Sequence, residues 1–147
     1  MHAFPSPTDA AGAGANTAAS PAANAPLPTV LITGAARRLG AELCRAFAAA
    51  GWRVIGHYNH SQADALALQQ SIRASGGSME LVQAELADPA ARRQMMQHIA
   101  TQWGALQALV NNASLFLPDT GSSYDEEQAL QQIRVNLLAP LDLAGPM

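Results

Sequence analysis

Short apolar runs bounded by turn residues alternate with segments of helical period from Thr29 onward, and no other feature of the sequence restricts the fold as much. Thr29 to Thr33 (Thr-Val-Leu-Ile-Thr) has no polar alternation, the pattern of a strand covered on both faces. Gly40 to Ala50 then carries Leu43, Phe47 and Ala50 at helical spacing, and Gly51 stands where a left-handed residue would end the helix. Arg53 to His57 reads as a second strand, and Ser61 to Ala74 as a second helix, with Ala65, Leu68 and Ile72 on its apolar face and Gly76-Gly77 as its stop. Met79 to Leu86 gives a third strand. Asp88-Pro89 opens a third helix, an N-cap side chain followed by a residue whose missing N–H is not needed there, and this helix runs to about Trp103. Leu106 to Asn111 is a fourth strand, Asn112 to Ser123 a loop, and Asp125 to about Leu143 a last helix. Strands separated by helices predict an α/β fold, a doubly wound parallel sheet with right-handed crossovers that receives ligands at the carboxyl ends of its strands.

Residues Met1 to Pro28 stand apart. They are Ala, Pro, Gly, Ser, Asn and Thr with almost nothing large to bury, and are expected to form a disordered arm ahead of one domain over 29–147. A formal net charge of −3 and a pI near 5.7 argue against nucleic-acid binding, which needs a basic face to neutralise phosphates. All 8 basic residues other than histidine are arginine; the sequence contains no lysine. The single cysteine, Cys44, sits among apolar neighbours, which suits a buried thiol in a reducing compartment. No stretch reaches the ~20 apolar residues of a membrane span, and the first 28 residues lack the basic and apolar regions of a secretory signal, so a cytoplasmic location is expected. His57 and His60 have no further ligands beside them, and no metal is expected.

The segment Thr33-Gly34-Ala35-Ala36-Arg37-Arg38-Leu39-Gly40 joins the first strand to the first helix, where a dinucleotide pyrophosphate meets a helix N-terminus. Gly34 permits the tight turn and Gly40 the close approach of helix to sheet, while the free N–H groups of the first turn face the phosphates.

Thr-Gly-x-x-x-Arg-x-Gly resembles the glycine loop of the short-chain dehydrogenases and reductases, and Arg38 in place of the usual middle glycine resembles its pteridine reductase and dihydromonapterin reductase branch. His57-Tyr58-Asn59-His60-Ser61, Gln83-Ala84-Glu85-Leu86, Asn111-Asn112-Ala113-Ser114-Leu115-Phe116 and Asn136 follow in family order. The resemblance covers Thr29 to about Leu141. It implies an incomplete Rossmann-type sheet and the N-terminal part of an oxidoreductase that takes NADPH or NADP. An acidic residue after the second strand would accept bonds from the ribose of NAD and repel a 2′-phosphate; Asn59 stands there. With Arg37, Tyr58, His60 and Ser61 nearby, a 2′-phosphate finds donors and positive potential, the alternative being a merely solvated Arg37. The resemblance implies that Gly34, Arg37, Arg38, Leu39, Gly40, Glu85, Leu86, Asn112, Ala113 and Ser114 also hold the cofactor, Glu85-Leu86 lying against the adenine. It further implies that Arg38, Ser114 and Phe116 meet a pterin-like substrate, Phe116 stacking on it or else anchoring its own loop.

The family's catalytic tyrosine, with a lysine after three intervening residues, finds no match: the tyrosines are Tyr58 and Tyr124, and Gln128 stands four positions after Tyr124. Asn136 is the one residue of the family's catalytic set that the resemblance identifies, normally holding a water through a local helix distortion. The chain is therefore expected to be a cofactor-binding fragment, inactive alone, whose full-length form is a homo-oligomer. The closing Leu143-Ala144-Gly145-Pro146-Met147 departs from a continuing helix and fits truncation or a shifted frame. A reductase of another carbonyl substrate, such as a 3-oxoacyl thioester or sugar, and a non-catalytic nucleotide-binding module are the other readings.

Overall fold

In the computed structural model, residues 26–118, 122–123 and 125–145 are described; residues 1–25 of the arm expected over 1–28, residues 119–121, Tyr124 and the closing Pro146-Met147 lie outside them. Four strands, β1 (Thr29–Ile32), β2 (Arg53–Tyr58), β3 (Ser78–Gln83) and β4 (Ala108–Val110), form one parallel sheet in the order β3-β2-β1-β4. Helices α1 (Arg38–Ala49), α2 (Gln62–Ala74) and α3 (Pro89–Trp103) make the crossovers. The last helical stretch has three parts: α4 (Glu126–Ile133), a wide π turn over Arg134–Leu138, and α5 (Ala139–Ala144).

Strand β1 explains the two-layered core. Its neighbours β2 and β4 bury it on both edges, and the period of two sends alternate side chains to opposite faces. Val30 and Ile32 pack with Ala41, Cys44 and Ala48 of α1 and with Leu68 and Ile72 of α2. Leu31 packs the other way, with Ile55, Met95 and Ile99, and with Ala139 and Leu143 of α5. Burial pushes the Cys44 thiol up to about 12, so it stays protonated within the first layer. Turn chemistry sets the helix ends. Gly51, Gly76 and Gly104 take φ of +83°, +84° and +82° after α1, α2 and α3, and the Asp88 carboxylate accepts from the Ala90 N–H at 2.8 Å.

Several boundaries differ from the sequence reading. Helix α1 begins at Arg38, two residues before Gly40, and α2 begins at Gln62 rather than Ser61. Strand β3 stops at Gln83, because its partner β2 ends at Tyr58 and residues 84–86 turn away to form a wall of the cleft described below. Strand β4 is confined to Ala108–Val110, since only β1 pairs with it and the other edge is open. Arg92 of α3, 3% exposed, donates to the Leu86 carbonyl and pairs with Asp142 of α5, tying the last helix to the end of the third strand. No helix among the described residues is long and apolar enough to cross a membrane.

Candidate functional site

The carboxyl ends of β1, β2 and β4 open into a cleft of about 820 Å³. One wall is the segment between β1 and α1. Gly34 takes φ +64° and passes so close to the exit of β4 that a Cβ would stand 2.9 Å from Ala113 Cα. A Cβ on Gly40 would stand 2.1 Å from the Gly34 carbonyl oxygen, so both positions require glycine. The Thr33 hydroxyl accepts from the N–H groups of Asn112 (3.1 Å) and Ala113 (3.0 Å), and the Asn112 amide donates to the carbonyls of Thr33 and Gly34, both at 3.0 Å. This lattice fixes the start of α1. Because α1 begins at Arg38 with no side-chain cap, the N–H groups of Arg38, Leu39 and Gly40 have no partner within the helix and carry the positive end of its dipole. Arg38 itself has φ +52°, a left-handed backbone that a non-glycine residue holds only at a cost of about 1–2 kcal/mol.

A further side of the cleft comes from the ends of β2 and β3. His57 is 2% exposed; its Nδ1 accepts from the Gly34 N–H at 3.3 Å, and its Nε2 lies 3.0 Å from the Ala84 carbonyl. Burial lowers its pKa below the ordinary value, with the Ala84 carbonyl and Glu85 pulling the other way. Asn59 donates to the Glu85 carboxylate at 2.7 Å, and the other Glu85 oxygen accepts from the Ala87 N–H at 2.9 Å. Arg37 reaches Asp64 in the first turn of α2, with Nε 3.6 Å from Oδ2; both side chains are more than half exposed. At the far end, Asn136 lies within the π turn and holds Leu115 twice, accepting from its N–H and donating to its carbonyl at 2.8 Å each. The geometry suits an elongated anion: unpaired helix N–H groups and two exposed guanidinium groups face a groove walled by main chain and by Leu86.

Residues 28–145 match the model of one family, short chain dehydrogenase. The chain belongs to that family. Among curated relatives, the chain is 30% identical to pteridine reductase 1 of Leishmania tarentolae, over 75% of this chain and 47% of the relative. It is 33% identical to the 3-oxoacyl-[acyl-carrier-protein] reductase FabG of Staphylococcus aureus, over 59% of this chain and 35% of the relative. Among solved structures it is similar to FolM alternative dihydrofolate reductase 1 from Brucella suis in complex with NADP, with a TM-score of 0.73 and 34% identity over 80% of this chain and 48% of that one. The chain thus spans less than half the length of these relatives.

Of the residues singled out from the sequence of this short chain dehydrogenase, the cleft brings together Gly34, Arg37, Arg38, Leu39, Gly40, Asn59, His60, Glu85, Leu86, Asn112, Ala113 and Ser114. Tyr58, Ser61 and Phe116 are not in its lining. Strand alternation turns Tyr58 away from the side that His57 and Asn59 face, and Ser61 serves as the first residue ahead of α2. Phe116 is 81% exposed, so it does not anchor its loop by packing. Asn136 stands behind Leu115, which does line the cleft. Sequence reasoning missed His57, Gln131 and Val135 as lining residues and Asp64 as the partner of Arg37. A histidine ending an otherwise apolar strand was the available signal for the first. A separate hollow of about 450 Å³ between α3 and α5, lined by Met96, Ile99, Leu106 and Leu143 among others, shares no residue with the cleft. Among the described residues, no three His, Cys, Asp or Glu side chains gather in a way that could hold a metal.

Proposed function

We propose that this chain is the dinucleotide-binding part of an NADP(H)-dependent reductase whose substrate is a pterin-like small molecule. The observation that carries the reading is Arg38: a cation held in a left-handed backbone, at the start of a helix whose first N–H groups are open, beside a second arginine. The residues present fit the cofactor. The N–H groups of Arg38, Leu39 and Gly40 would hold the pyrophosphate, Arg37 and His60 a 2′-phosphate, and Leu86 the adenine. When bound, the nicotinamide supplies hydride to the substrate. Glu85 and Asp64 place two carboxylates near the same corner, where they hold Asn59 and Arg37. Asn136 orients the Leu115 main chain at the substrate end. Proton donation belongs to the whole protein rather than this chain, since Tyr-x-x-x-Lys requires a lysine; alone, the chain binds without turnover.

A second reading, reduction of a 3-oxoacyl thioester or related carbonyl, is favoured by the similarity to FabG and by the position of Phe116 outside the cleft, which leaves Arg38 alone to argue for pterins. The exposed apolar row Leu130, Ile133, Leu137 and Leu141 supports a homo-oligomer for the full-length protein, and the free, buried Cys44 suits a reducing cytoplasm. Calorimetry with NADPH and NADH tests the cofactor reading. NADPH is expected to bind more tightly, and Arg37→Glu to weaken NADPH by at least about tenfold more than NADH, the factor that one net charge-assisted contact represents. Equal losses would remove the 2′-phosphate assignment, and a folded chain with no affinity for either would remove the function.

A further inference from the structure

We infer that His57 is a positioning residue, an imidazole clip that fixes the phosphate-facing loop against the wall that meets the adenine. The inference rests on the dinucleotide reading of the cleft. Ahead of His57, the buried residues of β2 are Val54, Ile55 and Gly56, and an apolar side chain in its place would bury as well without demanding partners. His57 instead makes three bonds to two segments far apart in sequence. Its main-chain carbonyl accepts from the Ala35 N–H at 2.8 Å and its Nδ1 from the Gly34 N–H at 3.3 Å, so two consecutive amides of the loop end on one residue. Its Nε2 meets the Ala84 carbonyl at 3.0 Å, next to Glu85 and Leu86.

A carbonyl can only accept and the Gly34 N–H can only donate. Both contacts therefore require one tautomer of the neutral ring, with the proton on Nε2. A second proton would set an N–H against the Gly34 N–H. Burial opposes that charge, and the charged groups around the same cleft are Glu85 beyond β3, Arg37 and Arg38 from the loop and α1, and His60 after β2. Among the described residues, no other side chain hydrogen-bonds both the loop and the Ala84 segment. Without the clip, each half keeps its own contacts with ligand, but their spacing is no longer set.

That distinction gives the experiment. NADP+ places its pyrophosphate on the loop amides and its adenine on the other wall, whereas adenosine 2′-monophosphate has no pyrophosphate and meets the loop only through the long, exposed side chain of Arg37. His57→Leu removes both ring contacts; His57→Asn presents an oxygen where Nδ1 stood, and His57→Gln a nitrogen where Nε2 stood. By calorimetry, His57→Leu is expected to weaken NADP+ by about tenfold, the equivalent of one net hydrogen bond, with adenosine 2′-monophosphate unchanged within about twofold. His57→Asn is expected to recover most of the NADP+ affinity, and His57→Gln to recover less. Should His57→Leu not fold, the Asn and Gln variants decide alone. NADP+ affinities equal to wild type in the folded variants, or parallel losses for NADP+ and the monophosphate, overturn the inference while leaving the dinucleotide reading intact. A wild-type chain that binds neither ligand overturns the reading itself.

Discussion

On one wall of the cleft, the loop from Thr33 to Gly40 is fastened from three sides: to β4 through Thr33 and Asn112, to β2 through His57, and to α1 through the contact of Gly40 with the Gly34 carbonyl. On the other, residues 114–117 meet the chain mainly through side chains of the final helical stretch, Asn136 on Leu115 and Gln132 on the Leu117 N–H at 3.4 Å, while Ser114 and Phe116 face solvent. The first wall is a product of the sheet, and its bonds are buried or partly so. The second hangs on a helix packed against one layer of the core. The contrast teaches that the glycine-loop end is built by β1 to β4 and their crossovers, whereas the opposite end, the one proposed to meet substrate, depends on how the last helix is held.

The strongest blow to that contrast is Gly40→Ala. Its new methyl would lie 2.1 Å from the Gly34 carbonyl oxygen and 2.8 Å from the Asn112 amide, with backbone on one side and no room to yield. A stability loss of about 3 kcal/mol, at the upper end for overpacking, is expected in urea melts, together with loss of NADP+ binding; a loss below about 1 kcal/mol would mean that the first wall is not rigid. Asn136→Ala attacks the second wall. It removes two exposed bonds, so a loss near 1 kcal/mol is expected, with faster hydrogen exchange at the Leu115 amide and NADP+ affinity unchanged. A drop as large as that of Gly40→Ala would erase the asymmetry. The smallest effect concerns acid. His57 has its pKa lowered in the fold from an ordinary 6.5, so below that pH the unfolded chain takes up a proton that the native chain refuses. The stability that neutral His57 contributes is complete above 6.5 and is lost as pH falls through its folded value. The stability difference between wild type and His57→Asn should therefore narrow on acidification, and a constant difference would show that the ring is not held neutral.

Much of this architecture was legible in the sequence because it rests on local chemistry. Gly51, Gly76 and Asp88 act where their residue types demand, and the β-branched runs of β1 and β2 form strands. What escaped depended on neighbours remote in the chain. Arg38 starts a helix from a left-handed backbone, which no propensity announces, and the length of β4 was decided by having a single partner. The glycine-loop residues could be listed because a strand, a glycine loop and a helix in succession fix where main chain is exposed, and most of the other proposed cofactor residues because the segments after the later strands resemble those of the family. The role of His57 could not, because its partners Gly34 and Ala84 meet only in the folded sheet. Phe116 shows the converse case, an aromatic side chain given a task by its position in a motif and found 81% exposed, outside the cleft lining.

The wide turn over Arg134–Leu138 also preserves the angular phase of the helix that follows, although it holds an extra residue. Each residue of an α-helix advances the chain by about 100°, and a π turn absorbs one residue more than an ordinary turn. Deleting a single residue there would let the segment close to a regular spiral with nearly unchanged helical content. Ala139 and Leu143 would still meet Met95 and Ile99, and Asp142 would keep its bearing on Arg92, because the widened turn takes up its extra residue without rotating the helix beyond it. In this stretch the bulge hides an insertion, so the greasy side of the second helix faces the core with or without the added residue.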